Sequence, residues 1–493
     1  MRYAVVALLV IGCFGALVSG EIVQVVEFAR HGARGPLYDL NPQGSSWLSK
    51  WGAEQLTGNG MRMHYHLGKE IAAKYPDIFN SNFNPSMMQV KSTNFNRTIS
   101  SAFSHFTGLV DQFQGKDLTF ADDDERVFPS AKITIDPKVS FRSALPNKFI
   151  PIAAFSKPNQ RILQVIRDDC PYGKKAALAA KKKVSDYVMN LNQVKDSMSD
   201  WAKLYGINDL ESRFQQMNVQ YVDDSKSELD KLFFLTDYMI QDAVHNEDAP
   251  INNIDEGKKA IYRKAQMGYS VATLARFNDT TFTANIISEF LLELKNTFET
   301  RKNSSNPDSL QKYFYYSGHD DLMSAILQAT YQITSSCMFE ILTSSQDVPR
   351  CEPAPDLAAN LVWELHKEVA AGKTEVEWSV RVRYNLKAFD FCQIGNAETE
   401  YLCPFDKFKE RITEITFENW KEWCVTGDNQ GGKEDPEEDQ FWANVTYSLI
   451  GICALLLIGV VFVSIKLKNA LNQHSAKTED LDTSSAAADD SMH

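Results

Sequence analysis

The sequence has no surplus of basic residues. Its 493 residues include 51 Lys and Arg against 64 Asp and Glu, so the formal net charge is −13 at pH 7. Proteins that bind nucleic acid use excess positive charge to neutralise phosphates. The composition therefore argues against a nucleic-acid partner, while a hydrophobic content of 44% is ordinary for a globular protein.

The motifs of several catalytic classes are also missing. No cysteine is followed six positions later by arginine, which excludes a cysteine-dependent phosphatase by pattern. The segment 268–272, Gly-Tyr-Ser-Val-Ala, lacks the closing glycine of a serine-hydrolase elbow. No H-E-x-x-H sequence or dense Asp/His cluster suggests a metal, and His64 and His66 are spaced to lie on different helix faces. We therefore expect no metal and no other cofactor.

Two apolar runs lie near the ends of the chain. Residues 1–20 combine Arg2, an apolar core and small residues before a cut, which is typical of a signal peptide. Residues 447–465 contain no charge and are long enough to span a bilayer core. Two lysines follow at once, which places the C-terminus in the cytosol. The pattern predicts a single-pass type I membrane protein.

These ends divide the chain into regions. Residues 21–428 are expected to form one large domain, followed by an acidic, glycine-containing stalk at 429–446. The membrane helix at 447–465 precedes a cytosolic tail at 466–493, which is rich in Ala, Ser and Asp and expected to be disordered. The large domain would then lie in the lumen of the secretory or endolysosomal system, or at the cell surface.

A secretory protein uses its cysteines mainly in disulfides. Of the eight cysteines, Cys13 leaves with the signal peptide and Cys453 lies in the membrane segment. The six candidates for disulfides are Cys170, Cys337, Cys351, Cys392, Cys403 and Cys424. Many connectivities are open for six cysteines, and sequence alone does not choose among them. Short separations favour Cys337–Cys351 and Cys392–Cys403, with Cys170–Cys424 then as a long tie.

Asn-x-Ser/Thr sequons are the acceptor sites for N-glycosylation. They occur at Asn96, Asn278, Asn303 and Asn444. We expect glycosylation at Asn278 and Asn303, with Asn444 as a further candidate close to the membrane. Asn96 is next to Arg97, which is itself a candidate functional residue, and Asn96 is expected to be buried.

Three apolar segments each end in a polar loop. The segments and the polar residues that follow them are Ile22–Phe28 with Arg30, His31 and Arg34, Met87–Thr93 with Arg97, and Tyr313–Ser317 with His319 and Asp320. Apolar runs of this length predict buried strands. A strand that ends in such a loop projects the loop side chains from the edge of a sheet.

The pattern changes to long helices between residues 132 and 300. In 282–298, for example, apolar residues recur every four positions, which predicts a helix with one buried face. Two further strands are predicted at 361–365 and 378–384. We therefore predict an α/β domain with an inserted, largely α-helical cap at about 135–300.

In these loops the sequence resembles the histidine acid phosphatases, the acid-phosphatase branch of the histidine phosphatase superfamily. The motifs are R-H-G-x-R-x-P from Arg30, L-T-x-x-G from Leu56, S-T-x-x-x-R-T from Ser92 and Ser-Gly-His-Asp from Ser317. The resemblance implies a mostly parallel central sheet flanked by helices, with a helical cap. It also implies hydrolysis of phosphate monoesters without a metal, usually at acid pH, and it supports the Cys170–Cys424 pair.

The residue types suit phosphate transfer, which needs fixed positive charge, a nucleophile and an acid. The candidates for binding phosphate are Arg30, Arg34, Arg97 and His319. His31 is the expected nucleophile, with its pKa lowered by the arginines and one ring nitrogen held by a loop carbonyl. Asp320 would protonate the leaving oxygen and then activate the water that hydrolyses the phosphohistidine.

Two alternatives stay open. One is a membrane receptor whose phosphatase-like ectodomain binds ligand without turnover. The other is a phytase or inositol-phosphate phosphatase of the same fold, which a strongly basic cap would favour. The basic cluster of the cap is Lys174, Lys175, Lys181, Lys182 and Lys183, which we interpret as a solvated helix face. The expected partners are small phosphate monoesters and the membrane, and a homodimer is left open.

Overall fold

The structure is a computed structural model of the 493-residue chain. It describes residues 20–427 except 80–84, 112–149, 155–160, 164, 166–168, 218–227, 253–255, 331–332, 334, 344–351 and 370–374. The predicted signal peptide up to residue 19, stalk, membrane helix and tail lie outside these residues, as does Asn444. Across the described ranges, no helix is both long enough and apolar enough to cross a membrane.

The described residues form one eight-stranded sheet. Its strands are β1 Glu21–Arg30, β2 Met88–Ser92, β3 Ala153–Ala154, β4 Tyr313–Gly318, β5 Asn360–Val369, β6 Val376–Tyr384, β7 Lys387–Phe389 and β8 Cys403–Pro404. The order is β3-β2-β4-β1-β5-β6-β7, with β8 paired to β6. Strands β3, β2, β4 and β1 are parallel, whereas β1, β5, β6, β7 and β8 pair antiparallel.

Strand register brings the predicted loops to one edge of the sheet. Arg30 at the end of β1 is opposite Gly318 at the end of β4. Ser92, which ends β2, is opposite Ser317 of β4. Because β1, β2 and β4 are parallel, the polar residues that follow each strand emerge at the same edge. The predicted α/β fold class is confirmed, but the expectation of a mostly parallel sheet was wrong: among the described residues three strand pairs are parallel and four are antiparallel, because β5 to β8 extend the sheet from β1 by antiparallel pairing. The parallel half carries the candidate residues.

Helices cover the sheet and build the cap. They are α1 Gly58–Lys74, α2 Asn96–Asp111, α3 Pro171–Val188, α4 Asn192–Leu204, α5 Leu210–Gln216, α6 Glu228–His245, α7 Glu256–Leu274, α8 Thr280–Asn303, α9 Asp320–Ala329, α10 Ser335–Thr343, α11 Phe405–Ile415 and α12 Trp420–Thr426. Helices α2, α8 and α9 contact β1 or β4. The stretch 174–205 forms two helices separated at 189–191.

Helix α1 begins against the loop that follows β1. Thr57 caps it by accepting a hydrogen bond from the Gly60 amide at 3.3 Å, and its hydroxyl donates to the Ala33 carbonyl at 3.1 Å. A Cβ on Gly60 would collide with the Ala33 backbone, so only glycine allows this approach. One turn later, buried His64 donates from Nε2 to the Arg30 carbonyl at 2.9 Å. The L-T-x-x-G segment therefore supports the first loop.

One long-range and one local disulfide cross-link the described chain. Cys170–Cys424 joins the start of α3 to α12 across 254 residues, and Cys392–Cys403 closes a loop of the antiparallel half. A bridge that closes a long loop restricts the unfolded chain most in the loop-entropy account. For the predicted Cys337–Cys351 pair, Cys351 and the side chain of Cys337 lie outside the described residues.

The sequons differ in exposure. Asn303 is exposed at the end of α8, and Asn278 is half-buried just before that helix. Asn96 is also exposed at the start of α2, so the expectation that it is buried was wrong. The error arose because a residue beside the half-buried Arg97 still points outward when the helix turns it to the solvent face.

A buried carboxyl group lies in the core behind the first loop. Glu27 of β1 is fully buried and accepts hydrogen bonds from the Tyr313 hydroxyl and from Asn360 Nδ2, the latter at 2.8 Å. Burial raises the pKa of Glu27 from 4.5 to about 7. His105 Nε2 lies 3.8 Å away, but burial holds the pKa of His105 well below its usual value. Glu27 is therefore protonated at acid pH, and the groups that contact it in the described part of the chain are uncharged there.

Glu27 is expected to make the fold less stable as the pH rises from about 4.5 to about 7. The folded protein binds the Glu27 proton more tightly than the unfolded chain, so this contribution is complete below the lower value and lost above the upper one. The loss is up to about 3 kcal/mol, at about 1.4 kcal/mol per unit of pKa difference. Denaturant unfolding of wild type and Glu27→Gln across this range measures it. A constant free-energy difference between the two proteins would show that Glu27 titrates normally.

Candidate active site

The strand ends bring all six predicted residues to one edge of the sheet. Arg30 is the last residue of β1, and Arg97 is the second residue of α2. His319 precedes α9, and Asp320 begins it. Backbone hydrogen bonds join the loops: the His31 amide donates to the Gly318 carbonyl at 3.0 Å, and the Thr93 amide donates to the Ser317 carbonyl at 3.1 Å.

The ring of His31 is held in one tautomer. Its Nδ1 lies 2.9 Å from the Gly32 carbonyl oxygen, which can only accept a hydrogen bond, so Nδ1 carries the proton. In the neutral ring, Nε2 then has the free lone pair. Burial lowers the pKa of His31 well below its usual value, and the charges of Arg97, Arg30 and Arg34 lower it further. The arrangement keeps Nε2 unprotonated at acid pH, as a nucleophile requires.

Each of the three arginines is oriented by other groups. Arg34 makes a two-point ion pair with Asp237, at 3.2 and 2.8 Å, and donates to the Gly35 carbonyl at 2.8 Å. Arg97 donates to Glu54 Oε2 at 3.1 Å. Arg30 donates to the Pro355 carbonyl at 2.5 Å, while its Nη2 is 3.0 Å from Asp320 Oδ2. Fixed guanidinium groups are suited to binding a tetrahedral anion.

One donor on each arginine remains unused. Among the described residues, no acceptor is within hydrogen-bond distance of the buried Nε atoms of Arg30, Arg34 and Arg97. A buried donor without an acceptor is unfavourable unless a ligand supplies the acceptor. Three such donors on cations whose charges all act on His31 indicate an anion site next to its ring.

His319 contacts both His31 and the loop after β2. Its ring meets the His31 ring edge-on at 5.5 Å. Its Nε2 is 3.1 Å from Thr93 Oγ1, whose own proton goes to Thr98 Oγ1 at 2.8 Å. Thr93 must therefore accept from His319, so Nε2 carries the proton. Burial, followed by the charge of Arg97, lowers the pKa of His319 to about 3, so the ring is neutral without a bound anion.

Asp320 and Asp321 begin helix α9 but differ in proton affinity. Burial raises the pKa of Asp320, yet Arg30 and a hydrogen bond from Tyr269 outweigh it and hold the pKa below its usual value. Asp321 accepts from the Leu322 amide at 2.8 Å. Burial and the neighbouring Asp320 charge raise the pKa of Asp321 to about 6. The two carboxyl groups can therefore be in different protonation states at acid pH.

Two buried contacts of the site were not predicted from the sequence. Asp237 comes from α6 and pairs with Arg34, while Tyr269 comes from α7 and contacts both Arg30 and Asp320. They lie 203 and 239 residues from their arginine partners along the chain. No local pattern marks such contacts, because they depend on how the cap helices pack over the first loop.

The space next to Arg30 is narrow. A cavity of about 20 Å³ is lined there by residues of both cap helices and of the 353–356 loop, including Asp237, Tyr269 and Pro355. A larger cavity of about 460 Å³ lies between α8 and the opposite end of β1 and β4, away from the predicted residues. No group of three or more His, Cys, Asp or Glu within the described ranges could hold a metal ion.

The fold and the strand-end residues define the class of protein. Residues 21–385 match the family described as the histidine phosphatase superfamily, branch 2. Because this match covers well over half of the 493 residues, the chain belongs to that family. The family predicted from the four motifs is confirmed.

Known relatives are acid phosphatases. The chain is 23% identical to lysosomal acid phosphatase of Xenopus laevis over 434 residues, which cover 86% of this chain and 84% of the relative. It is 21% identical to prostatic acid phosphatase of Homo sapiens over 424 residues, covering 85% and 92%. The predicted acid phosphatase class is thereby confirmed at the level of the family.

A solved structure shows the same fold. The apo form of Hafnia alvei phytase covers 82% of this chain and 98% of its own length, with a TM-score of 0.55 and 13% identity. At that identity the likeness establishes the fold and no more. Choice of substrate must therefore be argued from the residues of this chain.

Proposed function

We propose that this chain is an acid phosphatase that hydrolyses phosphate monoesters through a phosphohistidine on His31, with Asp320 as the proton donor. Arg30, Arg34 and Arg97 would bind the phosphate oxygens, with His319 beside them. No metal is part of the proposal, because the arginines supply the positive charge that phosphoryl transfer requires. The observation that carries it is a set of three buried Nε donors, on arginines around a histidine with a free Nε2, for which the described part of the chain offers no acceptor.

In the first step, His31 Nε2 attacks phosphorus. The N–P bond forms as the ester P–O bond breaks, and Asp320 transfers its proton to the departing oxygen. The bound phosphate takes up part of the Arg30 charge and adds negative charge beside Asp320. Both effects raise the pKa of Asp320 above its ligand-free level, so the protonated acid accumulates in the complex rather than in the free enzyme.

In the second step, water replaces the histidine. The Asp320 carboxylate takes a proton from water as the water oxygen bonds to phosphorus and the N–P bond breaks. Inorganic phosphate leaves, and Asp320 is again protonated for the next cycle. The sum is one ester and one water converted to one alcohol and one phosphate.

We also propose the division of the chain and its location. A signal peptide at 1–20 and a membrane helix at 447–465 would enclose a phosphatase domain at 21–428, with the cap at about 135–300, a stalk at 429–446 and a cytosolic tail at 466–493. The two disulfides support a domain in an oxidising lumen or outside the cell. The lysosomal and prostatic names of the relatives agree with that location. Exposed Asn303 is the strongest candidate for a glycan.

The basic cluster of the cap gives little support to an inositol-phosphate substrate. Lys174, Lys175, Lys182 and Lys183 are exposed on α3, and Lys181 pairs with Asp230 at 2.7 Å. None of them lines the cavity beside Arg30, where Asp237 and Asp356 supply carboxylates instead. Asp237 is neutralised by its ion pair with Arg34, so the Asp356 carboxylate is the charge that opposes a leaving group with several further phosphates. We therefore propose simple monoesters as substrates.

The full-length protein is expected to hydrolyse glycerol phosphate and nitrophenyl phosphate, with much lower activity on inositol hexakisphosphate. Released phosphate is measured from about pH 4 to about pH 8, with EDTA in a parallel series, and an acidic optimum unaffected by EDTA is expected. Equal or faster turnover of inositol hexakisphosphate would favour the phytase alternative. Phosphate binding without hydrolysis of any of these three esters would favour the alternative of a membrane receptor that binds ligand without turnover.

A further inference from the structure

Tyr269 connects the cap to two of the proposed catalytic groups. It lies on α7, and its ring is buried. The hydroxyl is 2.7 Å from Asp320 Oδ2 and 3.0 Å from Arg30 Nη2. Arginine can only donate, so the hydroxyl accepts from Arg30 and directs its own proton to Asp320. Burial raises the pKa of Tyr269, which keeps this proton on the hydroxyl at every working pH.

The surroundings of Tyr269 fix the direction of this hydroxyl. Its ring stacks on Phe233 of α6 at 5.1 Å and 24°, and the Arg30 guanidinium carbon lies 5.5 Å from the ring centre. The next residue, Ser270, accepts from the Ala354 amide at 2.7 Å. The loop so attached contains Pro355, whose carbonyl accepts from Arg30. Arg30 is therefore held between two groups that both depend on α7.

We propose that Tyr269 is a positioning residue that orients the Asp320 carboxyl group and sets its proton affinity during phosphate transfer. This inference rests on the proposed role of Asp320 as the acid. Both contacts of Asp320 with Arg30 and Tyr269 fall on Oδ2, so Oδ1 is the oxygen that faces the leaving group. When phosphate draws on the charge of Arg30, the Tyr269 hydroxyl remains as the contact that holds Oδ2 in place.

The hydroxyl also tunes the acid. A hydrogen bond donated to a carboxylate stabilises its ionised form and lowers its pKa. Without the Tyr269 hydroxyl, Asp320 in the complex would keep its proton to higher pH. The basic limb of the kcat profile reports loss of the acid in the complex. Removal of the hydroxyl must therefore move that limb upward, whereas a purely structural defect would lower kcat without moving it.

Tyr269→Phe is the direct test, because it removes the hydroxyl and retains the stacked ring. In the full-length protein we expect the basic limb of kcat to rise by about one pH unit, a tenfold change in proton affinity that is modest for a hydrogen bond to a charged group. We also expect a larger fall in kcat on glycerol phosphate than on nitrophenyl phosphate, because an unanchored acid matters most for a basic leaving group. KM should change little.

Tyr205→Phe is the matched control. Tyr205 is also a buried cap tyrosine, but its hydroxyl has no hydrogen-bond partner among the described residues. The kcat profile of the Tyr205→Phe protein is expected to coincide with that of wild type. Phe233→Leu is a second variant that leaves the hydroxyl but removes the ring that stacks on Tyr269. Phe233→Leu should move the basic limb of the kcat profile upward, by less than Tyr269→Phe does.

Two outcomes separate this inference from the proposed function. A basic limb that stays in place in both Tyr269→Phe and Phe233→Leu, while Asp320→Asn behaves as an acid variant, would overturn the role of Tyr269 alone. If the Asp320→Asn protein hydrolyses both esters at the wild-type rate, Asp320 is not the acid. The inference about Tyr269 then fails with it. A basic limb that moves in Tyr269→Phe, together with an Asp320→Asn pH profile that a second Tyr269→Phe change does not alter further, supports the coupling of the two residues.

Discussion

Replacement of His31 by alanine is expected to lower kcat by about 10⁵-fold or more, the scale seen when a covalent nucleophile is removed. The imidazole supplies the proposed bond between the protein and phosphorus, and its Nε2 is free because Nδ1 donates to the Gly32 carbonyl. Wild-type enzyme mixed with labelled phosphate ester and quenched without acid should retain label on the protein. The His31→Ala protein should retain none and should still bind inorganic phosphate, because the three arginines are unchanged.

The matched control is His66→Ala. His66 is an exposed histidine on α1, outside the site, so both kcat and labelling are expected to equal those of wild type. Unfolding curves should show that the His31→Ala protein is folded. Label on that protein, or turnover within tenfold of wild type, would place the nucleophile on another residue.

The Asp320→Asn protein is expected to lose activity in proportion to the basicity of the leaving group. Asparagine keeps the shape of the side chain but cannot deliver a proton. General-acid assistance is typically worth about 10²–10⁴-fold, so a loss of that size is expected on glycerol phosphate. Nitrophenolate departs without help, so the loss on nitrophenyl phosphate should be much smaller. The basic limb of the pH profile, which reports the ionisation of the acid, should disappear on the alkyl ester.

Asp321→Asn separates the two neighbouring carboxyl groups. Asp321 has the higher pKa, about 6, which by proton affinity alone would make it the better acid. Asp320, however, is the carboxyl that contacts Arg30 at 3.0 Å. We therefore expect Asp321→Asn to shift the pH profile modestly and to leave the dependence on leaving group intact. The two assignments would be reversed by one pattern of losses. Asp320→Asn would lose equal activity on both esters, and Asp321→Asn would lose more on glycerol phosphate than on nitrophenyl phosphate.

The site residues could be predicted because their signals are local. The residues of an apolar run such as Ile22–Phe28 are enough to predict a strand, and the polar residues of the loop follow within a few positions. The same holds for Tyr313–Ser317 and the His319–Asp320 pair. The loop carbonyl expected to hold His31 belongs to the next residue, Gly32, and so needed no knowledge of the fold.

Exposure and helix breaks were less predictable. The break at 189–191 within the stretch 174–205 carries no proline or glycine, so neither of the usual helix breakers marks it. The exposure of Asn96 depends on the rotation of α2 against the sheet. The antiparallel half of the sheet follows from pairing of β5 with β1, which are separated by more than three hundred residues.

The sequence by itself determined the strands, the strand-end loops and the residue types that can bind and cleave a phosphate ester. Only the tertiary structure decided how those residues are held. Asp237 reaches Arg34 from α6, Tyr269 reaches Asp320 from α7, and burial in the folded protein lowers the pKa of His31. Hydrogen-bond geometry and exclusion of water are properties of packed surfaces, and such surfaces exist only once segments hundreds of residues apart have met.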